Sequence, residues 1–146
     1  MTGGGRPSLV KLAEFDSAGS GRLAVATCGA EVPFAVRRVF SLFSASAGAA
    51  RSGHAHRCCE QFLICVAGSA RITAEDAQGV ASFRLDHPAR GLYVPAMTWL
   101  SLVPQDADTV VMVLASHDYD ESDYIREPSA FATACREVGI GGPAGE

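Results

Sequence analysis

The sequence predicts an all-β domain with one helical tail, and three observations lead there. Nine short segments of apolar or alternating character follow one another along the chain. Punctuation rich in Gly, Pro or Asp separates most of them, drawn from 15 Gly and 7 Pro that are scattered and not clustered. No amphipathic pattern of helical period appears before residue 118. Short strands without intervening helices point to a sandwich or barrel and away from a parallel α/β sheet.

Taken in order, residues 1–7 read as a loose tail, and strand-like segments then occupy 8–12, 22–27, 36–43 and 62–66. Further segments lie at 70–74, 80–84, 91–94, 100–103 and 109–115. Turn-forming stretches fall between them at AGSG (18–21), AGS (67–69), DAQG (76–79), DHP (86–88) and PQDAD (104–108). The β-branched and aromatic content of VRRVFSLF, ARITA and TVVMVL favours extended backbone. Residues 121–125 fit one helical turn, and Pro128 suits the first turn of a final helix, SAFATACREVG, ending before Gly139. Phe131, Ala134 or Cys135, and Val138 recur at i+3 or i+4, so one face of that helix can cover the β domain. Residues 8–138 are expected to form a single domain, with 139–146 a flexible tail.

Composition narrows the class of function. With 146 residues, 48% hydrophobic and 19% charged, the chain can bury a core and does not resemble a disordered segment. Its basic residues are eleven Arg and one Lys without a run, and the net charge is -4, so no nucleic-acid partner and no anionic membrane surface is expected. No stretch reaches 18 apolar residues, which argues against a membrane-spanning helix. The five cysteines are odd in number and show no paired CxxC spacing, and the N-terminus lacks the apolar run of a secretory signal. A reducing cytoplasm is the expected compartment.

The densest chemical signal is RSGHAHRCCEQFLICVAGSARI, residues 51–72. If this is a strand, His54 and His56 face the same side, with Arg51 close by. Two imidazoles on one face suit a metal pair or an acid/base pair, since histidine titrates near neutrality; they can equally be polar residues lining a cavity without chemistry. The HxH pattern with the turn glycine Gly68 resembles the first signature of the cupin barrels, whose acidic ligand falls here on Gln61, or on Glu60 at the shorter spacing. Gly91 and Pro95 match the second signature, but Leu100 stands where its histidine is expected. A three-histidine-plus-carboxylate metal centre is therefore incomplete, and no metal is expected.

A more specific likeness spans about residues 8–132. GRLAVAT, PFAVRRVF, RSGHAH with QFLICVAGSARI, FRLDHPARGLYVPAMTW and VLASHDYDESDYIR resemble, in this order, the small cupins that are sugar 3,4-ketoisomerases, the FdtA/QdtA-like or WxcM-like group. The last motif is the most specific, because a generic cupin has no physical need for DYDESDYIR. The resemblance implies a cupin-type double-stranded β-helix (a jelly-roll barrel) with a short C-terminal helix. It also implies a homodimer that exchanges its N-terminal strand, and a reaction needing no metal or redox cofactor. The implied substrate is a thymidine-diphosphate-linked 4-keto-6-deoxyhexose, whose carbonyl moves from C4 to C3 by enolisation, in deoxysugar biosynthesis.

That chemistry requires a base at the C3 proton and a donor near the C4 oxygen. The resemblance assigns the base to His54 and proton relay or orientation to His56, the reverse order being almost as good. Arg51 would hold a phosphate or steady developing oxyanion charge. Gln61 occupies the acidic slot as a candidate substrate contact. Arg37 and Arg38 point to opposite faces of a strand, so one can reach the pyrophosphate while the other is a surface or interface charge. Trp99 would stack on thymine or pack in the core. Tyr119 and Tyr124 would hydrogen-bond at the cavity mouth or clasp the C-terminal helix. Cys58 reads as a packed small residue, and His87 and His117 as solvated turn residues.

Several polar positions of the family differ in this chain: Ser20 and Thr27 near the first strands, Phe40 and Ser41 in place of two tyrosines, and Leu100 after the tryptophan. Three readings follow: an active ketoisomerase with an altered substrate or donor set, a divergent epimerase or dehydratase-like enzyme on the same scaffold, or a non-catalytic sugar-nucleotide-binding protein.

Overall fold

Side-chain alternation decides most of the architecture. Along Val110–Ala115 every second residue is buried, as the two-residue period of a strand demands. By contrast, the first five residues of Gln61–Ala67 are all buried, the pattern of a central strand covered on both faces. The computed structural model describes residues 5–138, so the expectations for 1–4 and 139–146 fall outside the described residues.

The strands are β1 (Ser8–Lys11), β2 (Ala13–Asp16), β3 (Arg22–Val25), β4 (Arg38–Leu42), β5 (Arg51–His56) and β6 (Gln61–Ala67). There follow β7 (Ala70–Asp76), β8 (Gly79–Leu85), β9 (Arg90–Val94), β10 (Trp99–Pro104), β11 (Val110–Ala115) and β12 (Tyr124–Ile125), then helix α1 (Pro128–Glu137). One five-stranded sheet runs β1-β9-β6-β11-β4 and the other β12-β5-β10-β7-β8, while β2 and β3 form a separate hairpin. The named strand pairs are all antiparallel.

The main core lies between the two sheets: Leu63, Leu92, Val111 and Val113 of the first meet Ile72, Leu85 and Leu102 of the second. A second cluster, with Leu12, Val32, Phe62 and Ile64 at its centre, covers the opposite face of the first sheet. A third lies behind the second sheet, where Phe131 and Ala134 of α1 pack on Ala55, Ile125 and Trp99. The helix therefore has the expected covering face, except that Val138, its C-cap, is exposed. Residues 121–125 are not one continuous helical turn: a 3-10 turn at Glu121–Asp123 gives way to β12. The hairpin strand β2 lay outside the expected segments, because its four residues AEFD lack an apolar alternation strong enough to read. Among the described residues no helix is long and apolar enough to cross a membrane.

The turn between β6 and β7 depends on Gly68, whose φ of 71° favours glycine. Space requires glycine as well, since an added Cβ would come within 2.8 Å of the Thr109 Cα. Thr109 holds the turn by donating its hydroxyl to the Ser69 carbonyl (2.9 Å). Gly68→Ala is expected to cost about 1–3 kcal/mol or more, because left-handed strain and a backbone clash act together. A urea titration should show a lower midpoint with an unchanged slope.

Candidate active site

The site is built around β5. Its outward residues, Gly53 and Ala55, lie beneath Trp99 and α1; a Cβ on Gly53 would collide with the Trp99 indole nitrogen. His54 and His56 consequently take the other face, with ring centroids 5.1 Å apart and nearly perpendicular. Arg51 has the wrong parity to share that face in a regular strand. The pairing with β10 runs Leu102↔Arg51 and Leu100↔His54, so three residues of β5 span two of β10. This irregularity is a β-bulge, and it turns Arg51 to the same cavity as His54.

That cavity has a volume of about 570 Å³, within the range of small-molecule sites. Leu63, Leu100, Leu102, Val111 and Val113 form an apolar wall, and Arg51, His54, Gln61, Tyr124 and Arg126 supply polar groups. Phe40, Ser41 and Leu100, three of the departures noted in the sequence, all line it.

His56 lies behind this lining, only 4% exposed. Its Nδ1 is 3.0 Å from Asp123 Oδ2. The other carboxylate oxygen accepts from the Cys58 backbone N–H at 2.7 Å, and Oδ2 also accepts from Cys59 N–H at 3.2 Å. A carboxylate at Nδ1 keeps the ring proton there and leaves Nε2 as a lone-pair acceptor, and that buried Nε2 has no hydrogen-bond partner among the described residues. Burial pushes His56 down to about 4 against the opposing pull of Asp123, so the ring is neutral at physiological pH.

The C-terminal motif that sequence reasoning left between clasp and site is both. Asp120 caps the 3-10 turn by accepting from Ser122 N–H. Glu121 takes two hydrogen bonds from Arg126 (2.8 and 2.9 Å) and one from the Tyr119 hydroxyl (2.6 Å). The Arg126 guanidinium beside it holds the Glu121 carboxyl down at about 2. Tyr124 places its ring 5.1 Å from His54 and 4.3 Å from His56, with the Arg126 guanidinium over the ring at 4.3 Å. Tyr124 was expected at the cavity mouth or as a clasp, whereas Asp123 and Arg126 were not singled out as site residues. Only their concentration in DYDESDYIR could have signalled them, because their contacts to β5 bridge 67 residues of chain for the Asp123–His56 pair.

The remaining candidates separate. Gln61 is buried and lines the cavity. Arg38 donates to the His117 carbonyl (3.2 Å) and stacks over Phe40 and Tyr119. Burial pulls its guanidinium down, but the neighbouring Tyr124 hydroxyl and Cys59 thiol outweigh this and raise it. Arg37 points the other way, as expected of its neighbour, and pairs with Asp118 at 3.1 Å in a separate groove. Tyr119 is exposed, outside the cavity, with its hydroxyl committed to Glu121. Trp99 follows the second of its two readings, packing: Leu100 faces the cavity, so its neighbour on β10 faces outward, and Trp99 lies 5.7 Å from Phe131.

The donor set does not fit a cupin-type metal centre, for Leu100 stands opposite His54 and Gln61 replaces a carboxylate. His56, Cys59 and Asp123 bring ligand-type atoms within 4.8 Å of one another. Their geometry is that of a hydrogen-bonded clasp, since both Asp123 oxygens already serve His56 and the two backbone amides.

Fold and site together define a class: a two-sheet, cupin-like β protein with a histidine pair beside an arginine-bearing cavity. The family model for FdtA (WxcM-like, C-terminal) matches residues 6–136. The TDP-4-oxo-6-deoxy-alpha-D-glucose-3,4-oxoisomerase of Aneurinibacillus thermoaerophilus is 40% identical over 109 residues, covering 75% of this chain and 78% of the relative. QdtA, a sugar 3,4-ketoisomerase from Thermoanaerobacterium thermosaccharolyticum solved with TDP, superposes with a TM-score of 0.85 at 27% identity, covering 91% and 96% of the two chains. The TDP-quinovose 3,4-ketoisomerase of Campylobacter jejuni gives 0.82 at 30% identity, covering 87% and 97%. The chain belongs to the FdtA/WxcM-like family of cupin sugar 3,4-ketoisomerases.

The depressed His56 has a consequence for stability. The unfolded chain takes up a proton near pH 6.5 while the folded protein resists until about 4, so stability present above 6.5 is lost as pH falls through that window. The loss should be on the order of 2–3 kcal/mol. Thermal melts between pH 7 and 4 measure it, and His56→Gln should flatten this part of the profile.

Proposed function

We propose that the protein converts a thymidine-diphosphate-linked 4-keto-6-deoxyhexose into its 3-keto isomer, the reading that the family relatives and the cavity support together. The carrying observation is His54 in the cavity wall with a neutral, carboxylate-anchored His56 behind it. A neutral neighbour leaves His54 able to act as a base, whereas an imidazolium 5.1 Å away would oppose its protonation.

In this reading His54 removes the C3 proton of the 4-keto sugar, and the electron pair passes into an enediol across C3 and C4. Return of the proton to C4 leaves the carbonyl at C3. Arg51 and Arg126, both lining the cavity, hold the diphosphate or the charge that develops on oxygen. Gln61 offers an amide that both donates and accepts toward sugar hydroxyls. His56 orients His54 and Tyr124 from behind. Leu100, Phe40 and Ser41 narrow the set of hydrogen bonds available to the sugar, which fits an altered substrate choice better than a lost activity, because none of them replaces the base.

The two sheets are read as the halves of a jelly-roll barrel, and the working unit as a homodimer in the cytoplasm. The β2–β3 hairpin supports the dimer: it joins neither large sheet, and Phe15 and Leu23 on it are 56% and 59% exposed. An apolar hairpin of this kind calls for a second copy as its cover.

Two experiments test these assignments. Incubation with TDP-4-keto-6-deoxyglucose in deuterated water should incorporate deuterium at C3 and C4, and His54→Asn should slow that exchange by about 100-fold or more. Unchanged exchange in the variant would remove His54 as the base. Sedimentation should find a dimer, and Phe15→Glu with Leu23→Glu should shift it to monomer; a monomeric wild type sinks the hairpin interface.

A further inference from the structure

A carbonyl that migrates from C4 to C3 needs two proton relocations. One proton travels between the carbons, and another leaves the C3 hydroxyl while the C4 oxygen gains one. His54 accounts for the first. Of the other polar groups lining the cavity, arginine does not give up its proton in a protein, glutamine does not exchange one, and the aliphatic hydroxyl of Ser41 is too weak an acid to part with its own. A phenol does both.

Three tyrosines occur in the chain. Tyr93 donates to Glu60 and Tyr119 to Glu121, each at 2.6 Å, so both hydroxyl protons are committed to carboxylates. Tyr124 differs on each count. It lines the cavity together with His54, its ring 5.1 Å from that imidazole. Among the described residues no carboxylate accepts from its hydroxyl, and Arg38, over the neighbouring Tyr119 ring, donates and cannot accept. Such a neighbour leaves the phenolic proton available to a substrate. The ring is held from three sides: His56 at 4.3 Å, Arg126 at 4.3 Å, and the backbone through the pairing of Tyr124 with His56.

Resting on the ketoisomerase reading, we propose that Tyr124 is a catalytic residue that carries the oxygen-bound proton between O4 and O3. In the first step the C3–H bond breaks toward His54, the pair forms C3=C4, and the C4 oxygen takes the Tyr124 proton. The products are imidazolium, phenolate and a neutral enediol. In the second step the phenolate takes the O3 proton, the O3 pair forms the new carbonyl, and the C3=C4 pair takes the His54 proton at C4. Both side chains return to their starting forms, and no further reactant is consumed.

The test is Tyr124→Phe, which keeps the ring, assayed beside wild type and His54→Asn on TDP-4-keto-6-deoxyglucose. The expected result is a kcat about 100-fold lower or less still, with KM and TDP affinity within about three-fold. A kcat within about five-fold of wild type overturns the proposal, as does a loss of TDP binding that accounts for the whole defect. A wild type that fails to isomerise the sugar refutes the ketoisomerase reading instead, so the two failures are distinguishable. Incorporation of 3-fluorotyrosine at Tyr124 gives a readout that packing does not move: a more acidic phenol should shift the alkaline limb of the kcat profile to lower pH. An unmoved limb overturns the assignment.

Discussion

The Asp123 carboxylate is the constraint on which the site depends. It accepts from His56 and from two successive backbone amides at the turn that follows β5. One side chain thereby fixes the tautomer of a buried imidazole, closes the β5–β6 turn, and brings the C-terminal motif against β5. The paired register of β12, Tyr124↔His56 and Ile125↔Ala55, follows from that anchor. A two-residue strand has little pairing energy of its own, so β12 is placed by Asp123 on one side and by Ile125, buried under α1, on the other. Losing the carboxylate would leave a second buried nitrogen on His56 without a partner, a penalty of about 1–3 kcal/mol before any catalytic effect.

Strand parity does the rest of the sorting. On β10, Leu100 faces the cavity and Trp99 faces the helix, so adjacent residues serve the site and the core separately. On β5 the bulge between Arg51 and His54 breaks the parity rule and brings a cation to the cavity that His54 lines. Arg37 and Arg38 straddle the start of β4 in the same manner, one paired with Asp118 in an outer groove and one beside Tyr124.

Much of this was legible in the sequence. The all-β class, the terminal helix and the shared face of His54 and His56 follow from periodicity and punctuation alone, and the ordered motifs carried the family. The register was not legible: nothing local reveals that Leu100, not Trp99, would stand opposite His54, because pairing partners are chosen by the whole sheet. Tyr119 and Tyr124 looked equivalent in DYDESDYIR, yet a 3-10 turn between them sends one hydroxyl to Glu121 and the other side chain into the cavity. Long-range contacts of this sort have no signature in spacing.

The polar residues missing from the cavity wall are better understood through dielectric than through a count of hydrogen bonds. Leu63, Leu100, Leu102, Val111 and Val113 give the cavity a hydrocarbon wall, and a charge close to such a wall acts more strongly than in open water. Arg51 and Arg126, both exposed, bring two positive charges to the edge of that wall. Burial keeps His56 neutral, and a positive charge on it would oppose protonation of the adjacent His54 ring. Asp123 supplies hydrogen bonding to His56 without allowing it to charge, because burial outweighs the carboxylate. The cavity thus combines an apolar wall, two exposed cations at its edge and a neutral imidazole behind a second one.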